Sequence, residues 1–304
     1  MLEDCLKSVK SGKGNLAVQI IVVDNGSTDG SLEMIRRKYS DVLLIESGEN
    51  LGFAKANNLA IKFVKSPLIL FLNSDTIIQE KALTGMVNFL DENPSVGAVG
   101  CKIRDNLGKV QELPTQWLVN PLAKFMELMI YSEKTIPFVK HIIPYQDPEQ
   151  SGYVKYLYGA CLMVRRKAFI QAGYFDDRFF MYCEDVDLCY RIRQKNFKIY
   201  YLSNYAIIHL VGGSTKTNKN ELSTQIMCDS ISKLAQKYYG YFGLLGFKAA
   251  VLVAVPFRLF LIMLFKLFNY IGAKNRGGNS EAIKRKYLAM IKWSLSGKSR
   301  RASF

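Results

Sequence analysis

Three acids fall within four positions at Glu184-Asp185-Val186-Asp187. Carboxylates this close shift one another's titration, and one of them beside a reacting hydroxyl can take its proton as a general base. The same acids would also suit the first turn of a helix, where the backbone dipole favours negative charge. Asn73-Ser74-Asp75 sets an amide oxygen and a carboxylate two positions apart. Such oxygen donors suit Mg²⁺ or Mn²⁺ bridging a diphosphate, and would equally cap a helix. Asp24-Asn25-Gly26-Ser27-Thr28-Asp29-Gly30-Ser31 puts a carboxylate at the end of an apolar run, where it can accept a hydrogen bond from a base or ribose. Asp-Asn-Gly is also an ordinary turn. In Asn50-Leu51-Gly52-Phe53-Ala54-Lys55-Ala56-Asn57-Asn58, Gly52 permits a tight turn. Asn57 would then project from a helix start that favours an anion. His209, followed by Gly212 and Ser214, closes the set; a histidine after an apolar strand is otherwise a structural residue.

The elements that must position these groups follow from hydrophobic spacing. Val18–Val23, Val42–Ile45 and Leu68–Leu72 are short apolar runs cut off by polar turns, as expected of buried strands. Leu32, Ile35 and Tyr39 recur at helical spacing with Asp29 or Ser31 as cap, and Ala54–Val64 reads as a second helix. Strand, helix, strand, helix, strand indicates a mainly parallel, Rossmann-like sheet with helices on both faces, and ligands of such sheets bind beyond the strands' carboxyl ends. Lys102–Lys155 is proline-rich and aperiodic, and could pass over an acceptor site. Beyond it come an apolar run Leu157–Val164, a helix near Lys167, a helix Glu184–Lys195 and a strand Lys198–Leu202.

The charge is uneven. The sequence has 41 Lys and Arg against 26 acids. From Lys233 to Phe304 there are 14 basic residues and one acid, Glu281, leaving 27 basic and 25 acidic side chains for the rest. A nucleic-acid enzyme would spread basic residues across its working face. Here they lie in the most apolar part, which points to an anionic lipid surface. Phe242–Phe268 is interrupted by Lys248, Pro256, Arg258 and Lys266, and its nine-residue uninterrupted piece Ala249–Phe257 is short for a span of roughly 20. The three cations fall on one helix face, kinked at Pro256, which suits a helix lying in the interface. Glu281–Leu295 is a second basic amphipathic segment, with Ile283, Tyr287, Met290 and Ile291 on one side. The division expected is therefore 1–232 for the site domain and 233–304 for a membrane-associating helical region. Six cysteines without a Cys-x-x-Cys pair, and a polar start after Met1, fit a reducing, cytoplasmic compartment.

In order, the segments DNGSTDGS, NLGFAKANN, LFLNSDT, YGACLMVRRKAF, GYFDDRFFMYCEDVDLCYR and HLVGGS resemble the family 2 glycosyltransferases. Among these they are most similar to bacterial rhamnosyltransferase-like enzymes of cell-surface polysaccharide assembly, over roughly Leu2–Ser214. The resemblance implies a GT-A fold, a nucleotide diphosphate sugar donor and inversion at the anomeric carbon, with a glycan or polyprenyl-linked acceptor. It implies Asp185 as catalytic base with Glu184 beside it, and Asp75 with His209 at a divalent metal. The donor would be held by Asp24, Asn25, Ser27, Asn50, Gly52, Asn57 and Asn73. Gly159 and Ala160 would line the sugar pocket, where larger side chains would collide with the donor. An enzyme peripheral on the inner membrane face, with self-association open to it and no nucleic-acid partner, is the expectation.

Two features depart from the family pattern. Asn73 stands where the commonest D-x-D element has its first acid. The family's opening strand, of the type V-S-V-V-I-V-T-Y-N, has no counterpart, so a chain lacking that strand or receiving it from a partner is expected. The alternative reading is a catalytically impaired sugar-nucleotide-binding protein.

Overall fold

The computed structural model describes residues 1–112, 147–210, 219–271 and 280–296. The chain divides into two compact units, Met1–Leu118 with Pro144–Gly213, and Val119–Ile143 with Ser214–Phe304. Most of the proline-rich stretch, together with Gly212 and Ser214, lies outside the described residues.

In the first unit α1 (Leu2–Gly12) precedes β1 (Ile21–Asp24), α2 (Ser31–Lys38), β2 (Leu43–Glu46) and α3 (Gly52–Ala60). β3 (Leu68–Leu72) and β4 (Thr76–Ile78) follow, then α4 (Ala82–Glu92), β5 (Val96–Arg104) and β6 (Val110–Glu112). β7 (Gly152–Tyr153), β8 (Cys161–Arg165), α5 (Arg166–Gln171), α6 (Glu184–Gln194) and β9 (Lys198–His209) complete it. The helix expected over Ala54–Val64 begins earlier, at Gly52, and ends in a single 3₁₀ turn, Ile61–Phe63. β9 outruns its expected end at Leu202 and carries His209 to its tip.

β1 and β2 pair in parallel, with Asp24 opposite Glu46. The larger sheet has the order β3-β8-β5-β9-β4, with β6 on β5 and β7 on β9. β5 and β9 are parallel, whereas β8 runs antiparallel to both β3 and β5 and β4 runs antiparallel to β9. The described sheet is therefore mixed. Short apolar runs disclose a strand but not its direction, which depends on how the chain returns. β5 lies between β8 and β9 and is buried from Val96 to Ile103, as a central strand covered on both faces must be. Ala82, Leu83, Met86 and Leu90 of α4 join its core. Phe71, Phe169 and Phe175 form a second apolar centre, with ring centroids 4.7–5.4 Å apart, and each such aromatic pair adds about 1 kcal/mol.

The described part of the second unit consists of α7 (Lys219–Ile271) and α8 (Ser280–Ser296). α7 begins upstream of residue 233 and leaves helical geometry at Gly240, where φ is 64° and ψ is −158°. Glycine takes that conformation without a Cβ penalty. Pro256, the expected kink, lies within the helical run after Gly240. α8 packs on that run: the Phe247 and Trp293 rings are 5.7 Å apart. The Lys248 ammonium lies 5.8 Å from the Trp293 ring, and the Arg258 guanidinium lies 5.7 Å from that of Tyr287. The Lys266 side chain is outside the described residues.

Candidate active site

The three clustered acids at the start of α6 have separate environments. Asp187 is fully buried and ion-pairs with Arg191 one turn on, at 2.7 Å. Arg191 also donates to the Ala172 carbonyl, so Asp187 ties α6 to the end of α5. Glu184 is 6% exposed, and its Oε2 has no hydrogen-bond partner among the described residues. Burial pushes its carboxyl up to about 8, and the neighbouring Asp185 charge adds to the rise. Asp185 is only partly buried. Its Oδ2 accepts the Gly159 N–H at 2.8 Å and its Oδ1 accepts the Val186 N–H at 2.7 Å. Burial raises Asp185 too, against the opposing pull of those two N–H groups. The two carboxyls titrate as a pair. Two N–H groups oppose the rise at Asp185 and Oε2 of Glu184 has no such donor among the described residues, so a proton shared by the pair is favoured on Glu184.

Backbone hydrogen bonds connect this acid to the second cluster. Gly159 adjoins Ala160, whose carbonyl accepts the Asn73 N–H at 3.1 Å. Asp75 follows, and its carbonyl accepts the Leu210 N–H at 2.8 Å, which fixes the end of β9 beside it. Asp75 Oδ1 and His209 Nε2 are 3.2 Å apart. Gln111 of β6 sets the ring: its amide nitrogen donates to the His209 carbonyl at 2.8 Å, leaving its oxygen 3.1 Å from Nδ1. That oxygen accepts Nδ1–H, so in the neutral imidazole the Nε2 lone pair faces Asp75. A carboxylate and an imidazole lone pair at this separation would be relieved by a cation between them. The donor set therefore fits Mg²⁺ or Mn²⁺, with diphosphate and water oxygens filling the remaining positions. Asn73 turns its amide nitrogen to His209 at 3.4 Å, so in this geometry it orients the ring. No group of three or more His, Cys, Asp or Glu side chains suited to a metal occurs among the described residues.

The two polar turns expected at the donor side meet each other. Asp24 is 7% exposed and its Oδ2 accepts the N–H groups of Gly26 and Ser27, both at 3.1 Å. The carboxylate thereby shapes its own turn and leaves Oδ1 for other donors. Asn25 bridges to the next turn, donating to Asn50 Oδ1 at 3.0 Å and accepting the Leu51 N–H at 2.8 Å. Asn50 Oδ1 also accepts the Gly52 N–H at 3.1 Å. Asn57 donates to the Phe53 carbonyl at 2.9 Å, one turn back in its own helix.

Gly52 has φ +78°, and a Cβ there would lie 2.2 Å from the Phe180 carbonyl oxygen. Phe53 N–H donates to that same oxygen at 2.7 Å. Asn58 reaches the Phe175 carbonyl at 2.9 Å and Asp177 Oδ1 at 2.7 Å, and accepts the Phe175 N–H at 3.1 Å. The segment Phe175–Cys183 is thus clamped to the first turns of α3. It delivers the chain to Glu184 through Tyr182 and Cys183, both with positive φ, 70° and 67°. Such backbone costs on the order of 1 kcal/mol or more per residue and persists where its surroundings impose it. At Gly159 a Cβ would meet Phe53 at 3.5 Å and Asp185 Cβ at 3.7 Å, ordinary contacts. The protein's own atoms therefore leave room for a methyl group there.

All six sequence segments up to His209 are therefore drawn into the first unit around α3, β3, β8, α6 and the end of β9. Gln111 is not marked by the sequence, and Phe175–Phe180, although part of the segment GYFDDRFFMYCEDVDLCYR, has an anchoring role that its spacing does not reveal. Gln111 lies 98 positions from His209, and an isolated glutamine carries no spacing signal.

An α/β sheet with acid-bearing turns at its strand ends defines the class, a GT-A glycosyltransferase fold. Mannosyltransferase PcManGT from Pyrobaculum calidifontis, solved in complex with GDP-Man and Mn²⁺, superposes with a TM-score of 0.58 at 16% identity, covering 98% of this chain and 84% of that one. GalNAc-T7, solved with UDP, GalNAc and Mn²⁺, gives a TM-score of 0.53 at 11% identity over 82% of this chain and 51% of that one. The profile of Glycosyl transferase family 2 matches residues 1–173; the chain belongs to that family and is a glycosyltransferase of rhamnosyltransferase-like type. The N-acetylglucosaminyl-diphospho-decaprenol L-rhamnosyltransferase of Mycobacterium tuberculosis is 29% identical over 214 residues, 65% of this chain and 68% of that protein. Rhamnosyltransferase WbbL of Escherichia coli is 27% identical over 202 residues, 63% of this chain and 72% of that protein.

Proposed function

We propose that the protein moves a sugar, with rhamnose favoured, from a nucleotide diphosphate donor to a hydroxyl of a glycan or polyprenyl-linked acceptor in cell-surface polysaccharide synthesis, inverting the anomeric carbon. The observation that carries this reading is the short backbone path joining Asp185, through Gly159, Ala160 and Asn73, to the Asp75–His209 pair. A base on one side and a diphosphate site on the other are what a single in-line displacement requires. The sugar's preferred identity rests on the names of the two rhamnosyltransferase relatives.

In the displacement, the acceptor oxygen forms its bond to the anomeric carbon as the bond to the diphosphate oxygen breaks, and the leaving group keeps that electron pair. Asp185 takes the hydroxyl proton. Glu184, protonated and buried behind it, holds the pair at one negative charge, so Asp185 faces no second anion. Asp75 and His209, oriented by Gln111 and Asn73, would hold a divalent ion, which when bound supplies positive charge beside the leaving diphosphate. Asp24, Asn25, Ser27, Asn50, Gly52 and Asn57 build the nucleotide side, while Gly159 and Ala160 flank the sugar. Residues 1–232 carry the chemistry. The basic region 233–304 holds the enzyme on the cytoplasmic face of the membrane, where a lipid-linked acceptor is reached.

Asp185→Asn tests the base. The amide keeps the size and the N–H contacts but cannot take the proton, so single-turnover transfer should fall by about 10² or more while calorimetric donor affinity is retained. Near-normal turnover in the variant would refute the assignment.

A further inference from the structure

Residues of α7 after Gly240 divide into two unlike sides. Phe247, Val251, Ala254 and Val255 are buried, and Lys248 and Arg258 rest over the α8 rings of Trp293 and Tyr287. Two of the three cations expected to face lipid, Lys248 and Arg258, are therefore turned toward α8. The other side is an exposed apolar stripe of Phe242, Leu245, Val253, Phe257, Phe260 and Met263. These positions recur at intervals of three, four and eight residues, one face of a helix. Phe242 is 84% exposed and Val253 58% exposed. At 1.5 Å per residue the stripe is about 30 Å long.

We propose that this stripe is an in-plane insertion surface, which enters the hydrocarbon edge of an anionic bilayer while α8 stands behind it among the headgroups. The proposal rests on the membrane-surface reading above and identifies the face that does the work. Packed helices lie about 8–10 Å apart, and an interfacial helix buries its apolar face about 5–10 Å deep. Exposed Lys284, Arg285 and Lys292 of α8 would then stand at phosphate depth. Two observations favour lipid over a second copy of the chain, and lying flat over crossing. Residues 233–304 carry 14 cations against one acid, so a partner copy would bring a like-charged region against this one. By length and composition the helix passes for a membrane span, yet crossing would pull α8, which packs beside it, and its exposed cations into hydrocarbon.

The test uses the full chain and vesicles of phosphatidylcholine with phosphatidylglycerol, read by sedimentation at low and high salt, with helix content and oligomeric state measured in parallel. The double variant Phe242→Gln, Phe260→Gln should partition about 100-fold more weakly at either salt, since each phenylalanine removed contributes about tenfold. A variant with Lys284, Arg285 and Lys292 changed to Gln should lose about fivefold per residue at low salt only. Equal partition of the stripe variant and the unaltered chain would overturn the stripe and leave the membrane reading standing. If the unaltered chain ignores the vesicles, both fail. If the stripe variant instead turns an oligomer into a monomer with binding unchanged, the stripe is a contact between copies and the proposal falls.

Discussion

Glu184 offers a measurement that separates its environment from its chemistry. Its carboxyl is raised from 4.5 to about 8, chiefly by burial. A carboxyl with a raised native pKa binds its proton more tightly in the folded state than in the unfolded one. Its stabilising effect is complete below the unfolded value and is lost as pH rises through the window from 4.5 to about 8. Each unit of pKa corresponds to 1.36 kcal/mol, so between about pH 6 and pH 8 the folded protein should lose about 2 kcal/mol through this residue. Glu184→Gln replaces the neutral acid with a neutral amide of the same size and removes the titration. The amide carries its own constant cost, because Oε2 has no hydrogen-bond partner among the described residues, but that cost does not change with pH. Thermal unfolding of both proteins at the two pH values is the assay. The variant should gain on the parent by about 2 kcal/mol on going to the higher pH, a relative shift of about 3 °C for a chain of this size. Parallel pH profiles would show that Glu184 titrates as an ordinary carboxylate, and the protonated-neighbour account of Asp185 would go with it.

Gly52→Ala should displace the Phe175–Cys183 segment, because the new methyl would lie 2.2 Å from the Phe180 carbonyl on a backbone with φ +78°. A loss of about 2 kcal/mol in thermal stability with reduced turnover is expected, and an unchanged melting temperature would refute the clamp. Asp75→Ala should abolish Mn²⁺-dependent donor binding in calorimetric titration while the fold persists, since the side chain is 27% exposed at a strand end. Unchanged affinity would remove the metal role.

The sequence by itself determined where the chemistry-bearing turns are and what type of layer presents them. β3 spans Leu68–Leu72, as its apolar run predicts, and stops where Asn73 begins. The first two strands begin inside their expected runs and end one residue beyond them, at Asp24 and Glu46, and α2 covers the expected Leu32 and Ile35, because an apolar, branched run closed by a polar turn leaves the backbone little choice. Order and spacing of the six segments were enough to suggest the family. Tertiary structure decided what each polar residue is for. Three acids at a helix start are equivalent in a sequence, yet Arg191 engages one, burial raises another to about 8, and Asp185 is held by the Gly159 N–H on the path to Asp75 and His209. Gln111 and His209 meet because β6 and β9 both flank β5, a relation no local spacing encodes. The antiparallel course of β8 and the turning of Lys248 and Arg258 onto aromatic rings are likewise set by packing. Side-chain period tells which residues share a face, and only the neighbouring element determines which way that face looks.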